Sequence, residues 1–170
     1  MTIIGPAAAG KSTLARSLGD VTGIETFHLD ELYWGPGCTP TPADEWDALL
    51  SEIVARQEWI IDGNFTASLP ARLERADTVV FVDLPRAVCL AAAVKRRLLF
   101  GVRRAPGMAR DCRPMFNLTF LRWIWSFQYD HRPYYLELLS RPLPGRTVVM
   151  LRRRRDVRRF LAEVTARVLT

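Results

Sequence analysis

Residues 5–12 of the chain, with the sequence GPAAAGKS, restrict the possible folds more than any other segment. They match the pattern GxxxxGK[ST] at every fixed position. Glycine at both ends of such a loop allows a tight turn whose backbone N–H groups point inward at an anion. The apolar run Thr2-Ile3-Ile4 precedes the loop, and residues 11–19 have a helical pattern. The sequence therefore predicts a phosphate-binding loop between a strand and a helix whose positive end faces the anion.

The residue types in this loop indicate a nucleoside triphosphate bound with a divalent cation. The lysine of such a loop reaches the β- and γ-phosphates, and the hydroxyl that follows it ligates Mg²⁺. We therefore predict that ATP and Mg²⁺ are the cofactors, that Lys11 is catalytic and that Ser12 is a metal ligand. The residues expected to contact the nucleotide are Gly5, Ala8, Ala9, Gly10, Lys11, Ser12 and Thr13.

The chain alternates short apolar runs with helical patterns. After the first strand, strands are predicted at 24–29, 59–61, Thr78–Val82 and Thr147–Leu151, and helices at 42–57, 85–100 and 156–169. Thr41 is the expected N-cap of the helix at 42–57, because its hydroxyl can accept a backbone N–H. This alternation predicts an α/β fold in which five parallel strands form one sheet with helices on both faces.

The segment between the fourth and fifth strands departs from this alternation. Residues 101–114 are polar, rich in arginine and contain glycine and proline, which predicts a loop. An apolar stripe at helical spacing follows: Phe116, Phe120, Trp123, Ile124 and Phe127. Pro133 is expected to kink or restart that helix. The sequence has no internal repeat and no linker, so residues 1–170 are predicted to form a single domain.

Charge is distributed unevenly along the chain. Residues 1–94 carry 6 basic and 13 acidic side chains, whereas residues 95–170 carry 18 basic and 5 acidic ones. Of the 24 basic residues only Lys11 and Lys95 are lysine, and the rest are arginine. A planar guanidinium binds phosphate through two hydrogen bonds, so this cluster favours a phosphate-gripping surface. A genome rich in arginine codons would also raise the arginine content, but it would not concentrate arginine in the second half.

Composition argues against several classes of protein. No apolar run approaches the roughly 18 residues of a membrane span, and the N-terminus lacks the basic and long apolar regions of a secretory signal. No membrane partner is therefore expected. Cys38, Cys89 and Cys112 are widely spaced and include no CxxC pair, which argues against a disulfide scaffold and a cysteine-built zinc site. These features predict a location in the reducing cytoplasm.

Several segments beyond the loop make the chain resemble a known family. They are HLD at 28–30, WGPG at 34–37, WIIDGNF at 59–65, DLPR at 83–86 and FLRWIW at 120–125. With the loop, they resemble the nucleoside-kinase-like, adenylate-kinase-related branch of P-loop proteins, and most closely the bacterial DNA topology modulation proteins. The resemblance implies the strand order 2-3-1-4-5. It also implies an arginine-rich lid, at about residues 98–132, between the last two strands.

The resemblance further implies roles for two carboxylates. Asp62, at the end of the third strand, would hold Mg²⁺ together with Ser12, since this hard cation prefers oxygen ligands. Asp30 follows the second strand and would face the hydroxyl of a phosphate acceptor, accepting its proton or orienting it. A helix cap is the alternative interpretation of Asp30.

Arginines complete the implied site. In similar kinases, lid arginines close over the transferred phosphoryl group and neutralise charge on its oxygens. The corresponding catalytic candidates here are Arg97, Arg104 and Arg132, and Arg153 is the candidate for contact with adenine. The chain departs from adenylate kinases at residues 62–65, where it carries DGNF in place of their DGFPR. The arginine that grips AMP is therefore missing at that place.

Three functions follow from these observations, and the weakest of them is a nucleotide-binding regulator that hydrolyses ATP slowly and has lost its acceptor. The first is a Mg²⁺-dependent kinase that moves the γ-phosphate of ATP to a small acceptor, either nucleotide-like or another hydroxyl metabolite, and acts as a monomer or homodimer. The alternative is a nucleic-acid-associated ATPase that influences DNA topology, with the basic, aromatic-rich second half as its binding surface. The sequence contains no known reader motif for nucleic acid, and a phosphate-gripping lid explains the same charge.

Overall fold

The computed structural model describes residues 1–100, 117–141 and 145–169. Within these residues, five strands form one parallel sheet in the order β2-β3-β1-β4-β5. The strands are β1 (Thr2–Ile4), β2 (Thr26–His28), β3 (Ile60–Asp62), β4 (Thr78–Val82) and β5 (Thr147–Leu151). The predicted α/β fold and the strand order are confirmed.

Helices connect the strands and cover both faces of the sheet. They are α1 (Lys11–Thr22), α2 (Leu29–Tyr33), α3 (Ala43–Ala55), α4 (Leu69–Arg75), α5 (Arg86–Phe100), α6 (Leu118–Asp130), α7 (Arg132–Ser140) and α8 (Arg154–Val168). Pro133 lies in the first turn of α7, where a missing N–H is tolerated, which confirms the predicted restart of the helix. No helix in the three described ranges has the length and apolar character needed to cross a membrane.

The central strands are buried on both faces, which explains why their sequences are continuous apolar runs. Side chains alternate along each strand, so that Ile4 and Val79 enter one core while Ile3 and Val80 enter the other. Helices α3, α4 and α7 complete the first core, and α1, α5 and α8 complete the second. The apolar faces of these helices thus pack on the two faces of the sheet.

Helix α6 lies inside the interval predicted as a lid, yet it belongs to the packed body. Ile124 is 0% exposed and Phe127 is 1% exposed, and they contribute to different cores. Residues 118–130 of the predicted lid therefore form a core helix. Residues 101–116, which include Arg104, lie outside the described residues, and a lid there stays a prediction.

Two local predictions are wrong. Thr41 does not cap α3, because its Oγ1 donates a 2.8 Å hydrogen bond to the carbonyl oxygen of Tyr33, and Pro42 is the N-cap residue. The interpretation of Asp30 as a helix cap also fails. The second strand ends at His28, which is the N-cap of α2, so that Asp30 lies inside the first turn of that helix.

Arg72, on α4, is the largest fully buried side chain among the described residues. Its guanidinium donates a 3.1 Å hydrogen bond to Thr2 Oγ1 and further bonds to the carbonyl oxygens of residues 63–65. Burial lowers the pKa of Arg72 to about 10, since the cation has lost its water. These acceptors replace that water, and they fix the chain that follows β3 against β1.

Replacing Arg72 with methionine should lower the free energy of unfolding by about 2–4 kcal/mol, because buried carbonyl groups lose their donors. Urea denaturation measures the loss. The matched control is Arg75→Met, at an exposed position of the same helix, which should change stability by less than about 0.5 kcal/mol. Equal effects of the two substitutions would contradict the structural role of Arg72.

Candidate active site

The carboxyl ends of β2, β3 and β1 lie side by side, and the predicted phosphate loop, Asp30 and Asp62 lie at this edge. The register pairs His28 of β2 with Asp62 of β3, and Asp62 with Ile3 of β1. The predicted phosphate loop begins two residues after Ile3, at Gly5. Ligands of open parallel sheets bind at this edge, so the fold brings Asp62 next to the loop.

Backbone geometry makes the loop a cradle for an anion. Gly5 has a φ of 144°, and a Cβ at this position would lie 2.4 Å from the carbonyl oxygen of Val82. Only glycine permits this approach to β4. Ala8 has a φ of 59°, and Gly10, the N-cap of α1, has a φ of 91°. Such conformations turn N–H groups toward the inside of the loop, as an anion requires.

Lys11 and Ser12 begin α1 at the mouth of the loop. Lys11 Nζ donates to the carbonyl oxygens of Gly5 and Pro6, at 3.0 Å each, so the ammonium group lies across the loop. Ser12 is half-buried, and Thr13 is exposed. The ammonium group and the positive end of α1 therefore act at the same place, an arrangement that suits a polyphosphate.

Asp62 carries a buried carboxylate with only one of its oxygens engaged. Its side chain is 4% exposed, and Oδ2 lies 3.0 Å from His28 Nδ1. Arg16 Nε donates to His28 Nε2 at 3.4 Å. Because a guanidinium can only donate, His28 carries its proton on Nδ1 and donates it to Asp62. The second oxygen, Oδ1, has no hydrogen-bond partner among the residues that the structure describes.

The donor atoms at this edge fit a magnesium ion bound together with phosphate. Asp62 Oδ1 and the hydroxyl of Ser12 are oxygen ligands of the kind that Mg²⁺ prefers. The described ranges contain no cluster of three or more His, Cys, Asp or Glu side chains placed to hold a metal. Mg²⁺ requires no such cluster, because it retains waters and takes oxygens from phosphates. Ser12 and Asp62 are thus the residues that would hold the ion.

Asp30 projects from the first turn of α2 at the same edge. Asp30 is exposed, yet the protein around its carboxylate displaces part of the surrounding water, and this desolvation raises its pKa. The charge of Lys11 acts in the opposite direction, and the charge of Asp62 raises the pKa further. A carboxylate with a raised pKa is a better proton acceptor than an ordinary aspartate. The charges of Lys11 and Asp62 therefore both act on the carboxylate of Asp30.

Arg96, on α5, interacts electrostatically with Asp30. Burial lowers the pKa of Arg96, and the negative charge of Asp30 counteracts that effect. The sequence prediction selected its neighbour Arg97, which is half-buried on the same helix. The spacing of buried residues along α5 distinguishes Arg96 from Arg97. Cys89 and Ala93 are buried at i and i+4, so Arg96, at i+7, lies on the face that α5 turns to the protein.

The other arginine candidates have different surroundings. Arg132 donates two hydrogen bonds of 2.8 Å to the buried carboxylate of Asp83, just after β4, and this bonding raises the pKa of Arg132. Arg153 is exposed at the start of α8, where its backbone N–H donates to Asp156 at 2.9 Å. Arg104 lies outside the described residues. Contacts of these arginines and of Arg97 with phosphate or adenine stay predictions.

Asn64, which lies within the WIIDGNF segment but has no role implied by the resemblance, also contacts the phosphate loop. Its Oδ1 accepts a 3.1 Å hydrogen bond from the backbone N–H of Gly5, 59 residues away. Two residues with positive φ flank it: Gly63 at 140° and Phe65 at 29°. A positive φ in a residue other than glycine costs on the order of 1–3 kcal/mol. The hydrogen bonds from Arg72 hold the chain in this conformation and offset that cost.

Comparison with known proteins shows the fold. The chain is similar to a shikimate kinase from Acinetobacter baumannii in complex with shikimate, with a TM-score of 0.61, 16% identity, and coverage of 99% of this chain and 91% of that one. It is also similar to a gluconokinase from Sinorhizobium meliloti 1021, with a TM-score of 0.52, 14% identity, and coverage of 99% and 90%. The sequence matches no protein-family model and no curated protein. The likeness thus shows that this chain shares the fold of these two proteins, and the resemblance to DNA topology modulation proteins stays unconfirmed.

Asp30→Asn should stabilise the protein at neutral pH, because the amide escapes the penalty that burial imposes on the carboxylate. The raised pKa determines the direction in which stability changes with pH. At pH values between the two pKa values, the folded protein retains the Asp30 proton that the unfolded chain has lost. Wild-type stability therefore falls as pH rises from about 4, the ordinary aspartate value, through the raised pKa.

Chemical denaturation at a series of pH values tests this. The stability difference between Asp30→Asn and wild type should be small below that window and full above it. Asp20→Asn, at an exposed position of α1, is the control and should stay within about 0.5 kcal/mol of wild type. A difference that is independent of pH would show that Asp30 is not the group responsible.

Proposed function

We propose that the protein is an ATP-binding, Mg²⁺-dependent phosphotransferase that moves the γ-phosphate of ATP to a hydroxyl group of a small acceptor. The observation that carries this proposal is the convergence of three groups at one edge of the sheet. Lys11 lies across the loop, Asp62 offers an unpartnered oxygen, and Asp30 has a raised pKa. A loop alone would support nucleotide binding, whereas the added carboxylate provides a proton acceptor for an attacking hydroxyl.

The proposed reaction assigns a role to each group. The acceptor oxygen forms a bond to the γ-phosphorus while the bond between that phosphorus and the β–γ bridging oxygen breaks, and ADP leaves with the electron pair. The hydroxyl proton passes to the carboxylate of Asp30. Lys11 and the loop N–H groups neutralise charge on the phosphate oxygens. Mg²⁺, held by Ser12 and Asp62, would supply further neutralisation of the β- and γ-phosphates.

Two observations bear on the acceptor. The similar folds belong to a shikimate kinase and a gluconokinase, whose names both denote hydroxylated acids, and this supports a hydroxyl metabolite. An aromatic cluster follows Asp30 and supports a nucleotide-like acceptor. Tyr33 contacts Trp34, Trp46 and Phe65 at ring-centroid distances of 4.9–5.1 Å. Trp34, 38% exposed, retains surface for stacking.

The nucleic-acid-associated ATPase gains no support from the residues that the structure describes. Part of the positive charge of the second half is engaged inside the protein, as in the ion pair of Arg132 with Asp83. The structures with similar folds are named for kinases of small molecules. We therefore favour the phosphotransferase.

Lys11→Ala should reduce ATP binding and phosphate transfer by at least about a hundredfold, because the main cation of the loop is lost. ATP consumption would be measured against a panel of hydroxy acids, sugars, polyols, nucleosides and nucleoside monophosphates, with a reaction lacking acceptor as the blank. The matched control is Lys95→Ala, which removes the chain's other lysine, at an exposed position of α5.

Wild type and Lys95→Ala should consume ATP with at least one acceptor class, while Lys11→Ala should not. Full activity of Lys11→Ala would remove the proposed site. A wild-type protein that hydrolyses ATP at the blank rate with every acceptor would instead indicate a nucleotide-binding protein without transferase activity.

Asp30→Asn should lower kcat by at least about a hundredfold, the usual contribution of a general base, and leave ATP affinity nearly unchanged. The wild-type rate should fall in acid as Asp30 becomes protonated, at a pH above the ordinary aspartate range. Steady-state kinetics across pH, with Glu31→Gln on the same helix as control, measures both effects. An acid limb that persists in Asp30→Asn would assign the proton transfer to another group.

A further inference from the structure

Asn64 stands beside the loop at its first residue. The backbone N–H of Gly5 donates to Asn64 Oδ1 at 3.1 Å, and the carbonyl oxygen of Gly5 accepts from Lys11 Nζ at 3.0 Å. Asn64 and Lys11 thus bond to the N–H and the carbonyl oxygen of the same residue, Gly5. In loops of this type the lysine reaches the β- and γ-phosphates. Asn64 therefore lies at the end of the loop where the terminal phosphate is expected.

The amide nitrogen of Asn64 is available to a ligand. The side chain is half-buried, and Nδ2 makes no hydrogen bond to any residue in the described ranges. Because Oδ1 is fixed on Gly5 and the amide is planar, Nδ2 is held beside the loop as well. Both of its N–H groups are donors, which is the chemistry that a phosphate oxygen requires.

The fold constrains this side chain strongly. Positive φ angles at Gly63 and Phe65 place the turn that carries Asn64, and Arg72, fully buried, bonds the carbonyl oxygens of residues 63–65. Asp62, the expected metal ligand, lies two residues before Asn64. Backbone strain maintained by surrounding bonds is typical of functional positions.

We propose that Asn64 Nδ2 donates a hydrogen bond to the terminal phosphate of a bound triphosphate, so that Asn64 distinguishes ATP from ADP. This inference rests on the proposed function, and it assigns two tasks to one side chain. Oδ1 positions the loop through Gly5, and Nδ2 detects the γ-phosphate. A purely structural asparagine would perform only the first task.

Asn64→Asp separates the two tasks. Aspartate has the same shape and retains an oxygen for the N–H of Gly5, but it replaces the donor with a negative oxygen that repels phosphate. Affinities for ADP and for a non-hydrolysable ATP analogue would be measured by calorimetry, with Mg²⁺ and with EDTA, so that metal binding by the new carboxylate is detected. Asn64→Ala, which loses both tasks, is the comparison, and thermal unfolding verifies that each variant is folded.

Loss of a hydrogen bond to a charged group predicts that Asn64→Asp weakens the ATP analogue about tenfold or more. Its affinity for ADP should change less than about threefold. Equal effects on the two nucleotides, or wild-type binding of both, would overturn the proposal and leave Asn64 with the structural task alone.

An independent measurement uses the wild-type chain. The Asn64 side-chain amide signals in a ¹⁵N-labelled sample, assigned by their loss in Asn64→Ala, should shift with the ATP analogue and much less with ADP. Identical shifts with both nucleotides would also overturn the proposal. Failure of the proposed function gives a different result, since wild type would then bind neither nucleotide; that result overturns both.

Discussion

Close contact at Gly5 sets the geometry of the whole candidate site. On one side, the carbonyl oxygen of Val82 leaves no room for a Cβ. On the other side, Asn64 holds the N–H of the same residue. The start of the loop is thus fixed between the chain that leaves β4 and the chain that leaves β3. Since β1 lies between these strands in the sheet, the loop can only turn back over the strand ends, where Asp62 also lies.

Charged groups at the strand ends maintain this arrangement. The chain after β3 is held by Arg72, the chain after β4 by the ion pair of Asp83 with Arg132, and β2 is joined to β3 by His28 and Asp62. Burying such groups costs solvation energy that their partners largely return, whereas removing one partner leaves the other buried without its bonds and destabilises the protein. Their effect is geometric, because each satisfies its bonding requirements in only one position of the chain.

The accuracy of the sequence predictions depended on how local the signal is. Strands β4 and β5 were predicted with their observed bounds, because each is a threonine followed by a run of four apolar residues. The end of β2 was placed too late, since the buried Leu29 continues the apolar pattern into α2. The loop was predicted from a motif whose residue types carry its chemistry, whereas the roles of Asp30 and Asp62 were implied by the family resemblance and stay predictions.

Residues that act through distant contacts were not predictable in this way. Arg72 is one of many arginines, and only the fold shows that it is buried. Asn64 meets Gly5 across 59 positions, with no local pattern to mark the pair. Arg96 and Arg97 are adjacent arginines, and the sequence distinguishes them only through the helical phase of α5. What distinguishes these residues from others of the same type is the distant part of the chain that each one contacts, and a local sequence pattern does not show that contact.

Buried polar atoms without a hydrogen bond and a residue with a strained backbone angle lie close to the chain that follows β3. Within the described residues, the buried side-chain polar atoms that lack a hydrogen bond are Asp62 Oδ1 and Arg72 Nε. The guanidinium of Arg72 contacts the residues directly after Asp62, and Phe65 has a positive φ in the same turn. A cation and phosphate bound at this edge would satisfy Asp62, and binding to the folded state alone raises stability. The unpaired polar atoms and the positive φ angle therefore lie where a ligand would bind, and the two apolar cores contain none of them. Natural proteins tolerate such unfavourable local structure mainly at functional sites.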